Sequence, residues 1–203
     1  MPKSTSHDDA EWVECHSRAE WRAWLEAHHA QPAGVWLVYF KKHVAEKHIP
    51  YDDMVEEALC FGWVDSRPGK VDDDRTRLYF SPRKPKSAWG MPNKLRVAKL
   101  EAAGLMRDAG RQMVELAKQT GTWTTLDAVE ANESPPDLIE ALKGDPTAET
   151  FFAAFPPGVK KNIGHWIVLA KKPETRAKRV AETVRLAAKN IRANQPGAPK
   201  SEQ

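Results

Sequence analysis

Cysteine is scarce: Cys15 and Cys60 stand far apart in a chain of 203 residues. That excludes a disulfide scaffold and predicts two thiols in a reducing compartment. No apolar run approaches the roughly 20 residues that span a bilayer, and the opening MPKSTSHDDAEW has no apolar signal-like region. Neither a membrane span nor secretion is expected, and the expected location is the cytoplasm. Metal-ligand spacing is missing as well. His28, His29, His43 and His48 form no H-x3-H or H-E-x-x-H pattern, and the adjacent pair would point about 100° apart on a helix. No metal and no cofactor is expected, and internal repeats and low-complexity tracts are absent. The last deficit is local: residues 75–100, RTRLYFSPRKPKSAWGMPNKLRVAKL, contain eight Lys or Arg and no acidic residue.

What is present suits a folded chain. Hydrophobic residues make up 41%, enough for one medium domain or two small units. Eight of the seventeen aromatics are Trp, best read as core anchors. The net charge of +3 argues neither for nucleic acid nor against it, but its distribution is uneven. Residues 75–100 carry +8, residues 122–158 carry −6, and residues 159–192 carry ten basic against two acidic residues.

Periodicity predicts the elements. Residues 12–16 read as a short strand; Ser17 with Glu20 forms a capping box for a helix whose Trp21, Trp24, Leu25 and His28 share a face. VWLVYF, 35–40, reads as a central strand covered on both sides. Asp52 or Asp53 is expected to cap a helix burying Val55, Ala58 and Leu59, with Gly62 as its terminator. An antiparallel pair follows, with Asp65 and Arg77 expected on one face and PGKVDDD as the turn. Pro92 opens a helix expected to bury Leu95, Ala98, Ala102 and Leu105; the next, Asp108–Lys118, buries Met113, Leu116 and Ala117 and ends at Gly121. Beyond residue 122 the pattern is helical, in four helices marked by Leu138 and Leu142, Phe151 and Phe155, Ile163 and Ala170, and Val180 and Ile191. The fold class is α+β: a small antiparallel sheet packed with helices, then a compact all-helical unit. The expected divisions are a tail at 1–9, an α+β domain at 10–121, a helical unit at 122–193 and a tail at 194–203.

ALCFGWVDS at 58–66, FSPRKPKSAW at 80–89, Asn93, and HWIVLAKKPETRAKRV at 165–180 together resemble the YdeI/OmpD-associated family, also called the bacteriocin-protection or OmdA family. The resemblance spans residues 12–192. It implies a role in protection against envelope-directed toxins or in stress response, or association with an outer-membrane porin, and carries no catalytic activity or cofactor with it.

Asp65, Arg77, Arg83, Lys86, Ser87, Trp89 and Asn93 are the candidate ligand-binding residues, with no catalytic residue assigned. Three prolines stiffen the backbone from which Arg83, Lys84 and Lys86 project, beside the N–H groups of the helix at Pro92. The reading is a non-catalytic protein binding an anionic small molecule or a protein partner through the surface around residues 77–94. Two alternatives remain: an enzyme with an Asp65/Arg77/Arg83/Ser87 cleft, and a nucleic-acid binder joining the two basic blocks.

Overall fold

The structure, a computed structural model, describes residues 9–195 and falls into two compact units, one holding residues up to 87 together with 92–122, the other 88–91 with 123 onward. Apart from residues 9, 194 and 195, the tails expected at 1–9 and 194–203 lie outside the described residues.

The first unit runs β1 (Trp12–Glu14), α1 (Arg18–His28), β2 (Val35–Phe40), a 3-10 turn at Ala45–Lys47, α2 (Tyr51–Cys60), β3 (Trp63–Lys70), β4 (Arg75–Pro82), α3 (Met91–Ala102) and α4 (Asp108–Gln119). Its sheet has the order β1-β2-β4-β3. The α+β class is as the sequence predicts. β2, β4 and β3 are antiparallel, while β1 joins β2 in parallel, with Val13 opposite Leu37. The helix between β1 and β2 returns the chain to the end where it started, and a parallel pair needs such a crossover.

Register sorts the side chains. Val13, Leu37 and Leu78 lie in one row across three strands, and Phe80, two residues further along β4, faces the same way. Against this face α1 lays Trp21, whose ring centroid is 5.2 Å from that of Phe80. Trp12, Trp36, Arg77 and Tyr79 occupy the opposite face.

Ser17 caps α1 by accepting from the Glu20 N–H at 3.2 Å, and the Glu20 carboxylate reaches back one residue further than a capping box would, to the His16 N–H at 2.8 Å. Two indole N–H groups tie elements together: Trp21 donates to the Met54 carbonyl at 3.1 Å, and Trp63 to the His29 carbonyl at 2.9 Å. α2 begins two or three residues earlier than expected. Pro50 is its cap residue, and Asp52 and Asp53 lie in the first turn, where the helix dipole favours acids. Gly62, at φ +76°, closes α2 in the left-handed conformation that side chains resist.

On α3 the sequence points to the wrong stripe. Val97 and Leu100 are buried, whereas Leu95 is 64% exposed and Ala98, Ala102 and Leu105 are also exposed. Both stripes obey helical spacing, so periodicity alone does not choose between them. α4 buries Val114 and Ala117, leaving Met113 and Leu116 half-buried. Gly110 sits where a Cβ would strike the Leu59 and Cys60 carbonyls, which lets α4 meet the end of α2 closely.

The second unit adds α5 (Asp127–Glu130), which the sequence reading lacks, then α6 (Pro136–Lys143), α7 (Pro146–Ala154), α8 (Pro157–Val168) and α9 (Pro173–Ala187). Asp145 caps α7 through the Thr147 and Ala148 N–H groups. Leu138, Phe152, Ile163, Ile167 and Leu186 build its core. Among the described residues, no helix is long and apolar enough to cross a membrane.

Trp63 is fully buried. Trp63→Ala therefore removes both the packing and the bond to His29, and denaturant titration should show a loss of about 3–5 kcal/mol.

Candidate functional site

Tyr51 opens α2 and donates its hydroxyl to Asp65 Oδ2 on β3 at 2.8 Å. Burial, then the Asp65 carboxylate, pushes that hydroxyl up to about 12, so it stays a donor at neutral pH. Arg83 follows β4 directly. Its N–H donates to the Gly62 carbonyl at 2.9 Å, which fixes the start of the Pro-punctuated loop beside the α2–β3 corner. Its side chain is buried, with the residue only 6% exposed. Desolvation pushes the guanidinium down to about 10, with the Asp65 charge opposing the shift. Across the same corner Arg96 of α3 donates to Asn93 Oδ1 at 2.9 Å and to Asp52 Oδ1 at 2.5 Å, with its guanidinium 5.9 Å from the Tyr51 ring centroid.

Asp65, Arg83 and Asn93 thus belong to one polar chain, Asn93–Arg96–Tyr51–Asp65–Arg83. Tyr51 and Arg96 are its members that sequence reasoning missed, with Asp52 holding Arg96 from the side. The other four candidates lie elsewhere. Asp65 pairs with Phe80, whereas Arg77 pairs with Gly69 and Val38, so alternation along β4 puts Arg77 on the opposite sheet face. The register shift between Asp65 and Pro68 breaks the alternation on which the expected shared face rested. Lys86 is exposed, and the Ser87 N–H closes a turn onto the Lys84 carbonyl at 3.0 Å. Trp89 is 2% exposed and packs on Trp123 with ring centroids 5.1 Å apart, both in the second unit.

The histidines are held locally. His28 and His29 bond the Trp24 and Leu25 carbonyls, His48 the Phe40 carbonyl, and His43 the Asp74 carboxylate. Among the described residues no group of three or more His, Cys, Asp or Glu is placed to hold a metal ion. Burial pushes Cys15 up to about 12 and Cys60 up to about 11.

A second polar cluster had no signal in the sequence. Glu56 and Glu57 on α2 are 3% and 2% exposed. Arg18 takes Glu57 Oε1 at 2.6 Å, Glu56 Oε2 at 3.2 Å and Asp53 at 2.7 Å; Arg22 takes Glu57 Oε2 at 2.5 Å; Lys99 takes Glu56 Oε1 at 2.6 Å. Every carboxylate oxygen of the buried pair is engaged, which suits a structural ionic core better than a reactive one. In the second unit the basic block is partly neutralised. Arg176 forks onto Asp137 at 2.6 and 2.8 Å, Lys161 lies 3.6 Å from Glu130, and Arg179 donates to the Trp166 carbonyl. A hollow of about 270 Å³ there is lined by Ser134, Ile139, Leu142, Glu149, Phe152 and Ala153.

Residues 13–113 match the family model described as a domain of unknown function (DUF8412), and residues 132–190 match the one described as Bacteriocin-protection, YdeI or OmpD-Associated. The second match contains HWIVLAKKPETRAKRV. ALCFGWVDS, FSPRKPKSAW and Asn93 fall within the first, so the resemblance expected over residues 12–192 is carried by the C-terminal segment. No curated protein and no solved structure gives a significant match.

Arg22→Ala should cost about 3 kcal/mol in chemical denaturation, because it strands a buried Glu57 oxygen. Arg111→Ala, at an ion pair whose members are 46% and 41% exposed, should cost less than about 1 kcal/mol. The Arg176 fork holds the Asp137 carboxyl below its usual value. Its stabilisation is present above the unfolded pKa and is lost as pH falls through the lowered folded one. Since the pair is partly exposed and screened, Asp137→Asn should lower stability by under about 1 kcal/mol at pH 7. The difference should vanish in acid melts below the ordinary carboxylate range.

Proposed function

We propose, from a C-terminal segment that matches the model of the bacteriocin-protection, YdeI or OmpD-associated family, that this chain is a non-catalytic protective protein whose first unit binds an anionic group at the Asp65–Arg83 corner. The observation that carries this reading is the burial of Arg83 to 6% exposure, next to the Asp65 carboxylate that Tyr51 engages. A guanidinium removed from water gains more from a bound oxyanion than an exposed lysine does, because the surrounding dielectric is low and its planar fork is already set. Arg96 supplies a second guanidinium on the far side of Tyr51. Tyr51 is half exposed, so its ring stands where a ligand can reach the corner.

The geometry offers an enzyme little. The Asp65 carboxylate beside Arg83 is bonded to a phenol that stays protonated, and the thiols of Cys15 and Cys60 are held far above neutral pH. In this reading protection comes from sequestering or docking a partner.

Calorimetry with phosphate, sulfate and carboxylate probes at two salt concentrations tests the proposal. Arg83→Lys keeps the charge and loses the fork; it should weaken binding by about 1.5–3 kcal/mol. Lys84→Ala should do less, since an exposed ammonium is hydrated and mobile. Wild-type protein that binds none of these anions at low salt would leave Arg83 a structural residue.

A further inference from the structure

Arg77 lies outside the corner just described. By register it stands in the row Glu14, Val38, Arg77, Gly69 that crosses the sheet. Its guanidinium leans out of that row towards the next, with Cζ 4.1 Å from the Trp36 ring centroid and 4.4 Å from that of Trp12. It makes no hydrogen bond or ion pair with any described residue, and its Nε is buried and unmatched. Glu14, the carboxylate of the same row, is two strands away, roughly 10 Å. It is already engaged by Arg75 at 2.6 Å and His16 at 2.9 Å. Gly69 makes the room: a Cβ there would stand 2.7 Å from Arg77 Nε.

Two indoles lie against the cation but supply no acceptor for its N–H groups. A methionine or leucine would cover the rings as well without bringing a charge. Trp12, 52% exposed, leaves much of its own ring open beside the guanidinium.

We propose that this sheet face binds a phosphate joined to a planar ring, the chemistry of a nucleoside monophosphate, with the Arg77 fork on the phosphate and the open part of Trp12 stacked on the base. One uncommitted guanidinium matches one phosphate. A nucleic-acid strand would need a row of cations, and Arg75, the next cation on this face, is taken by Glu14 and Asp72. The proposal stands independently of the Asp65–Arg83 reading, because Arg77 is on the opposite face of the sheet.

The test titrates the full chain with adenosine 5′-monophosphate, adenosine, inorganic phosphate and a ten-residue oligodeoxyadenylate, following the Trp12 indole N–H by NMR and the heat by calorimetry. That N–H reports only on this face, so an anion bound at Arg83 does not mimic the result. The monophosphate should shift the Trp12 signal and bind more tightly than adenosine or phosphate alone. Arg77→Lys and Gly69→Ala should each weaken it about tenfold, the first by removing fork and stack, the second by displacing the side chain. Both should keep a melting temperature near that of wild type, and Arg111→Ala should bind as wild type does. The proposal is overturned if the monophosphate leaves the Trp12 signal unmoved at millimolar concentration, if Arg77→Lys and Gly69→Ala bind normally, or if only the oligonucleotide binds.

Discussion

α2 is buried along seven consecutive residues, Met54 to Cys60, and two of them are glutamates. Carboxylates taken out of water cost several kcal/mol each unless cations come with them, so the helix dictates what surrounds it. α1 must face it with Arg18 and Arg22, one helical turn apart, and α3 must bring Lys99. The end of α2 makes a further demand: the Cys60 carbonyl accepts from the Arg107 N–H at 3.1 Å, and Gly110 lets α4 close over it. Three helices of the first unit are thus positioned by the electrostatic and steric needs of a fourth.

The polar corner at Tyr51 follows from that packing. Burying α2 up to its C-terminus fixes Gly62, to whose carbonyl Arg83 is tied, and its N-terminus presents Tyr51 towards β3 and α3. The register shift on β3 matters as much. It carries the strand on to Lys70, through the PGK expected to form a turn, and separates Asp65 from Arg77 onto two faces. β3 is an edge strand, where Pro68 costs no inner ladder bond and, with Lys70, discourages pairing with another sheet.

Some of this was legible in the sequence, for reasons that particular residues make clear. VWLVYF announced a central strand because β-branched and aromatic residues ran without a polar break, and Gly62 announced a helix end because little else accepts its backbone angle. Gly110 gave no such signal, since its purpose is contact with carbonyls some fifty residues away in the chain. The α3 stripe failed because Leu95 and Val97 both begin legal helical faces, and only the partner decides which is covered. Glu56 and Glu57 gave no signal, because nothing in a sequence distinguishes a solvated acid from one met by cations across the fold. Of the candidate site, the fold brings Asp65, Arg83 and Asn93 to one corner; the partners that join them lie on α2 and α3, at distances in sequence that no local pattern spans.

The two cysteines lead to a different consequence. With their thiols held at about 12 and about 11, the thiolate fraction at neutral pH is on the order of one part in ten thousand or less. Peroxides, electrophiles and disulfides react with the thiolate, so the folded chain presents almost nothing for them to attack. Alkylating reagents that mark neither cysteine under native conditions, then both once the chain opens, would turn this inertness into a clock for local unfolding: labelling at Cys15 would time the opening of the sheet edge, and labelling at Cys60 that of the helix at the centre.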